Sequence, residues 1–251
     1  MYMYKIHQYF VKFTFTSHFR NLVRWAFFQK CTVLILTNRH SQATFKPIHF
    51  FTPGHRCYED YTSIHGCYEL CNIDDAIKCP DGKKLEDWFA THAVEFYNQL
   101  VIFYKFVEND CTEEKCPVMS AGHKFKYLWQ DDDQFKTPKE LPAKEYVSLL
   151  FDWADAFLGD KHFFPSDHRS SYPKTFKPEI SRLFRRLLRV YAHLYNHHTA
   201  VLKSCDALQH FNTSFTHFYK FTKYYNLIDE KEFKPLKKAI ESLGLEPKSE
   251  Q

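Results

Sequence analysis

Two short motifs carry residue types that could bind a metal. The first is Cys111-Thr-Glu-Glu-Lys-Cys116-Pro117, followed by Val118-Met119-Ser120. The second is His193-Leu-Tyr-Asn-His197-His198, which begins 77 residues beyond Cys116. Two thiolates and two imidazoles suit a tetrahedral zinc ion, whose donors are sulfur and nitrogen. Four protein ligands leave no open coordination position, so such a zinc is expected to be structural and not catalytic. The gap is too long for a DNA-reading finger, whose ligands sit within about 30 residues. The ion would fasten a loop to a distant helix. His193 and His197 are four apart and share one helix face. His193 and His198 are five apart, about 140° around the axis. Spacing therefore favours His197, and His198 needs a bend or a different ring nitrogen.

The remaining thiols carry less chemistry. Cys57, Cys67, Cys71, Cys79 and Cys205 read as small buried hydrophobes or simple exposed thiols. Cys67-x3-Cys71 has no second half. The eight cysteines are even in number, but no signal peptide is convincing and the clearest pair has metal-ligand spacing. A reducing cytoplasm is the expected compartment, with the nucleus as a second.

Several helices must position these residues. The chain has 251 residues, is 44% hydrophobic and 18% aromatic, and holds six glycines. That is enough for a full hydrophobic core and leans towards helices. Leu85, Trp88, Phe89, Ala93, Phe96, Leu100, Phe103, Tyr104 and Val107 recur at three- and four-residue steps, which predicts a helix of about six turns ending before Cys111. Phe125, Tyr127 and Trp129 alternate with lysines and Leu128, which predicts a short strand or hairpin limb. Pro142 opens a helix carrying Tyr146, Leu149, Leu150, Trp153 and Phe157, with Gly159 closing it. Pro178 opens the next, with Ile180, Leu183, Leu187, Val190, Tyr191 and Leu194 facing inward. Leu208, Phe211, Phe215 and Phe218 mark a further helix. Asp229-Glu-Lys-Glu232 reads as a capping box for a last helix carrying Phe233, Leu236, Ile240 and Leu243. The domain reading is an N-terminal extension over 1–43, expected to be poorly ordered, an irregular arm over 44–84, and a core over 85–251.

Charge is divided unevenly. Residues 1–58 hold eight Lys or Arg and no acidic residue, leaving 34 − 8 = 26 basic against 30 acidic residues in the remainder. A mildly acidic body favours basic protein partners over nucleic acid or anionic membranes. The apolar stretch Cys31–Thr37 is far shorter than the about 20 residues that span a bilayer, so no transmembrane segment is expected.

Six ordered segments resemble the Mob/phocein family of kinase activators over about residues 44–245. They are Thr44-Phe45-Lys46-Pro47 with Pro53-Gly54; Leu85-Glu86-Asp87-Trp88 with Glu95-Phe96-Tyr97-Asn98-Gln99; Cys111-Thr112-Glu113 with Cys116 through Gly122; Arg189-Val190-Tyr191-Ala192-His193; Asn212-Thr213-Ser214-Phe215; and Asn226-Leu227-Ile228-Asp229. Trp129-Gln130-Asp131-Asp132 and Leu141-Pro142-Ala143 look closer to the Mob-three-like branch than to the founding one.

The resemblance implies an all-α fold around a four-helix core with a short β-hairpin. It implies zinc on Cys111, Cys116, His193 and His198. It implies a non-catalytic protein that binds the N-terminal regulatory region of NDR/LATS-type kinases and docks phosphorylated Ste20/Hippo-type kinases. The phosphopeptide pocket maps onto Arg185, Arg186 and Arg189, whose guanidinium groups can bind phosphate through paired hydrogen bonds. Asp87, Trp88 and Glu95 match the kinase-binding face, with Trp88 as the apolar anchor. Lys83 and Thr91 stand where an acidic and an apolar residue are expected in activating members, which points to altered kinase preference. Thr44 matches a regulatory phosphorylation site, and Cys67 falls where some relatives have a second such threonine. Three rival classes remain. A zinc-containing nucleic-acid binder needs a basic surface. A zinc hydrolase is disfavoured, because Asp131, Asp132 and Asp133 read as a solvated loop and four filled ligand positions leave no water to activate. A phocein-like scaffold in phosphatase–kinase assemblies keeps the fold and changes the role.

Overall fold

A computed structural model describes residues 49–61 and 72–246. The N-terminal extension 1–43, Thr44, Cys67 and Cys71 lie outside the described residues. The element order is α1 (Ile73–Ala76), α2 (Leu85–Val107), a two-stranded ribbon of β1 (Ser120–Ala121) and β2 (Phe125–Lys126), α3 (Ala143–Gly159), α4 (Phe176–His197), α5 (Thr199–Ser204), α6 (Leu208–Tyr224), a 3-10 turn (Glu230–Leu236) and α7 (Lys237–Ser242). The fold is mostly helical with one small sheet, as the sequence predicts.

The long helix α2 is the axis of the core. Apolar and aromatic residues surround it, and 17 of its 23 residues are buried. A helix that is apolar on several faces belongs inside a bundle. Helices α3, α4, α5 and α6 all pack against it. Its interface with α4 and α6 is an aromatic mesh. Phe96 lies edge-on to Phe184 and Phe218, and Tyr191 packs on Phe211 and Phe215. Each fully buried phenylalanine here contributes about 1.5–3 kcal/mol relative to an exposed one.

The ribbon is antiparallel, with Ser120 opposite Lys126 and Ala121 opposite Phe125. Gly122 makes the reversal at φ +68. A Cβ there would lie 3.2 Å from Oδ1 of Asn196, so both the conformation and the approach of α4 call for glycine. A further bridge joins Trp129 to Lys139.

Two expectations change. Leu149, Trp153 and Phe157 on α3 are half-buried, and the buried stripe is instead Tyr146, Val147, Leu150, Ala154 and Leu158. The Trp153 ring is turned outward enough to meet Arg182 and Arg186 on α4, and Phe157 stacks on Trp153. The capping box does not form, because the Asp229 side chain makes no cap bond. Pro235 lies inside that segment, lacks an N–H, and the chain runs as a 3-10 turn before α7 begins.

His92 and His217 are fully buried in the aromatic mesh. His92 stacks on Phe221, with centroids 4.0 Å apart. The two imidazoles lie 5.1 Å apart, and His217 also meets Phe96. Burial pushes His217 down to about 3. Its stability contribution is fully present above the unfolded value of about 6.5, and is lost as pH falls towards the folded value. Urea unfolding at pH 7 and pH 4.5 should therefore show a loss of about 2–3 kcal/mol from this residue. His217→Leu should flatten the profile by that amount, and an unchanged pH slope would contradict the assignment.

Candidate functional site

Loop 111–116 leaves the end of α2. The N–H of Cys111 donates to Val107 O at 2.8 Å, and that of Cys116 to Thr112 O at 2.8 Å. These bonds curl the loop so that both sulfurs face the end of α4. Cys111, Cys116, His193 and His198 are all buried, and their ligand atoms lie within 4.8 Å of one another. Cys111 Sγ is 3.4 Å from His193 Nε2, and Cys116 Sγ is 3.6 Å from His198 Nε2. The two Nε2 atoms are 3.3 Å apart.

The tautomers follow from the outer partners. His193 Nδ1 lies 2.8 Å from the Ser120 carbonyl, and His198 Nδ1 lies 3.0 Å from an Asp110 carboxylate oxygen. Both partners only accept, so both Nδ1 atoms carry protons and both Nε2 lone pairs face inward. Among the described residues the donors they meet are weak S–H groups, while the lone pairs repel each other. A cation at the centre resolves that conflict. Burial drives His193 down to about 3 and lowers His198, so both stay neutral. Burial, followed by the neighbouring Cys116, pushes the Cys111 thiol up to about 12, and burial raises Cys116. A metal ion reverses the thiol shifts by stabilising thiolates. The Tyr104 hydroxyl is buried, and the Cys111 thiol is the side-chain group within its reach. It stands beside Cys111, which helps burial raise it. A metal-bound thiolate there would be a stronger acceptor than the thiol.

The structure selects His198 over the spacing-favoured His197. His198 caps α4 at φ −128, ψ 12, outside helical geometry, so its ring swings away from the helical path. His197 Nε2 instead accepts from the Gly122 N–H at 3.2 Å and meets Ser120 Oγ at 3.2 Å. It fastens α4 to the ribbon.

Arg185, Arg186 and Arg189 all lie half-buried on α4. Arg186 is sandwiched between Trp129 and Trp153, 4.4 and 4.2 Å from the ring centres. One N–H donates to Gln130 O at 2.7 Å. Burial, then Arg182, lowers it to about 10. Arg189 donates to the Tyr146 hydroxyl at 2.7 Å. Arg186 Nη1 and Arg189 Nε are buried N–H groups with no acceptor. Sequence reasoning missed Arg182, which stacks on Trp153 at 4.9 Å and pairs with Glu179 at 3.3 Å. Its four-residue offset from Arg186 was the available signal. Asp131 is a brace and no catalytic acid. It accepts from the N–H groups of Asp133 and Phe135 and from Trp129 Nε1.

The expected exposed face of Asp87, Trp88 and Glu95 needs correction, because all three are buried. Arg56 of the arm pairs with Asp87 at 2.6 Å, and Tyr172 donates to the same carboxylate at 2.8 Å. Trp88 Nε1 donates to Ile77 O at 3.0 Å. Glu95 accepts from Gln99 at 2.5 Å. These groups stitch the arm and core together. Lys83 pairs with Asp60 at 3.0 Å, and Thr91 is fully buried, donating to Asp87 O at 2.8 Å. The five cysteines among the described residues are free. No helix among the described residues is long and apolar enough to cross a membrane.

Bundle and cluster together define a helical domain in which a loop and a distant helix end can be joined through one metal ion. The chain belongs to the Mob1/phocein family, which it matches over residues 67–236. MOB kinase activator 3A of Homo sapiens is 37% identical over 195 residues, covering 77% of this chain and 90% of that protein. MOB kinase activator 3C of Homo sapiens is 33% identical over 201 residues, covering 80% and 93%. MOB kinase activator-like 1 homolog B of Dictyostelium discoideum is 36% identical over 206 residues, covering 82% and 95%. The resemblance drawn from the six motifs holds.

Two substitutions separate the histidines. His198→Ala should abolish tight metal retention, whereas His197→Ala should keep one equivalent. Metal content after chelator dialysis distinguishes them, and equal loss in both would contradict the assignment. Arg56→Ala leaves the Asp87 charge buried and unpaired and should cost about 3–5 kcal/mol in urea unfolding; a loss below 1 kcal/mol would show the clasp to be peripheral.

Proposed function

We propose that this chain is a non-catalytic activator and adaptor of protein kinases. Family membership supports the reading, as do relatives named kinase activators that it covers over 90% and 93% of their length. We assign one structural zinc ion to Cys111, Cys116, His193 and His198. A tetrahedron with zinc–sulfur bonds of about 2.3 Å and zinc–nitrogen bonds of about 2.0–2.1 Å has edges of about 3.3–3.8 Å. The 3.3, 3.4 and 3.6 Å separations fall in that range. The ion supplies a cross-link, and its filled ligand set leaves no water to activate.

The partners in this reading are an NDR/LATS-type kinase, bound through its N-terminal regulatory segment, and a phosphorylated segment of a Ste20/Hippo-type kinase. One observation carries the second contact: the unpaired buried N–H groups of Arg186 and Arg189, held on one face of α4 beside Arg182. A phosphate oxygen supplies the charged acceptor they lack. Arg185 flanks that face. For the regulatory segment, the exposed Leu85 and Glu86 at the start of α2 take the anchoring and steering roles expected of Trp88, Asp87 and Glu95. Thr44, the first residue of the arm, is the proposed phosphorylation site. The protein acts in the cytoplasm, with the nucleus as a second compartment.

Calorimetric titration of the zinc-loaded chain tests both contacts. A phosphothreonine peptide from a Hippo-type kinase should bind, and Arg186→Glu should weaken it by at least about 100-fold, as loss of charge-assisted bonds implies. Unchanged binding with an intact fold would put the phosphate elsewhere. An NDR/LATS-type regulatory segment should bind and be weakened by Glu86→Lys. Binding to neither would favour a phocein-like scaffold.

A further inference from the structure

The four metal ligands leave unexplained a carboxylate held against one of them. Asp110 directly precedes Cys111, beyond the end of α2. One of its oxygens lies 3.0 Å from His198 Nδ1. The other meets the Lys115 ammonium. Asp110 is therefore tied to both ends of the 111–116 loop and to the end of α4.

An acidic side chain is poorly placed there on local grounds. The carbonyl end of a helix carries partial negative charge, and an aspartate beside it is unfavourable unless compensated. Lys115 and His198 are the compensating partners. His198 also needs what Asp110 supplies. His193 lies within α4, where the helix and the Ser120 carbonyl fix its ring. His198 has left helical geometry, so the backbone no longer dictates where its ring points. The carboxylate restores that constraint.

We propose that Asp110 is the positioning residue of the metal centre: by accepting the His198 Nδ1–H it fixes the ring's tautomer and orientation and makes Nε2 a stronger donor to the ion. This inference rests on the reading that the cluster holds zinc. The charge balance fits. Two thiolates neutralise a divalent ion, both imidazoles are neutral, and Asp110 is offset by Lys115. Outer-sphere carboxylates of this kind typically change metal affinity by about 10–100-fold.

The test uses the full chain loaded with zinc and a chromogenic chelator as competitor. Asp110→Ala should weaken zinc binding by about 10–100-fold. Asp110→Asn keeps an acceptor oxygen and should lose less, and it carries the test if the alanine variant does not fold. Lys115→Met removes the Asp110 counter-charge but spares the His198 contact, so it should lose less affinity than Asp110→Ala. In nitrogen-15-labelled protein the His198 Nδ1–H proton resonance should move upfield in Asp110→Ala while that of His193 stays. If the wild type takes up no zinc, the metal reading itself fails. If the wild type binds zinc and Asp110→Ala or Asp110→Asn matches it, or if Lys115→Met loses as much as Asp110→Ala, the positioning role is overturned.

Discussion

Two imidazole lone pairs held 3.3 Å apart at the end of α4 set the constraint on which the rest of this half of the molecule depends. Their outer nitrogens are committed to Ser120 and Asp110, so the rings cannot turn to relieve the repulsion. A cation bound between them and the two sulfurs would turn an unfavourable contact into a cross-link. It would join residues 82 positions apart, Cys111 to His193 and Cys116 to His198. Such a cross-link would also hold the ribbon, because Ser120 serves both His193 and His197. Trp129 follows the ribbon and reaches Arg186. The metal ligands and the arginine groove are thus two ends of one connected arrangement on α4.

A second buried charge system fixes the arm. Arg56 pairs with Asp87, donates to Ser170 O at 2.7 Å, and lies over Tyr172 at 4.7 Å. Such a pair adds little net stability over an apolar replacement, because both ions lose their water. Its effect is positional, since breaking it strands a charge. The arm, the loop before α4 and the start of α2 consequently share one register.

Much of this was legible in the sequence. The three-and-four periodicity of Leu85 to Val107 gave α2 its true limits because that helix is apolar on several faces, so no choice of stripe could mislead. The cluster was legible because thiol and imidazole side chains seldom recur at such spacing. What failed was the reading of direction. Asp87, Trp88 and Glu95 look like a surface face in one dimension, but all three are buried, and Arg56 and the Ile77 carbonyl reach Asp87 and Trp88 from the arm. Nothing local to α2 announces those partners. The His197 preference failed for a similar reason. It assumed that α4 continues through His198, whereas the chain leaves the helix there. Asp110 was passed over because an acid beside a cysteine has no meaning until the distant histidine is brought to it.

The arginine groove shows why ring stacking matters more than charge count. A solvated arginine spreads over many rotamers, and ordering it costs up to about 2 kcal/mol of conformational entropy. Arg186 has already lost that freedom. Trp129 and Trp153 enclose its guanidinium, Asp131 fixes Trp129 through the indole N–H, and Gln130 takes one donor. Burial, followed by the positive charge of Arg182 and then Arg189, depresses its pKa. A cation kept in an unfavourable field, with its fork oriented and a donor unpaired, gains more from an arriving dianion than a free surface arginine does. The loop at Asp131 is therefore a frame for the arginine cluster, and its carboxylate acts through the Trp129 indole.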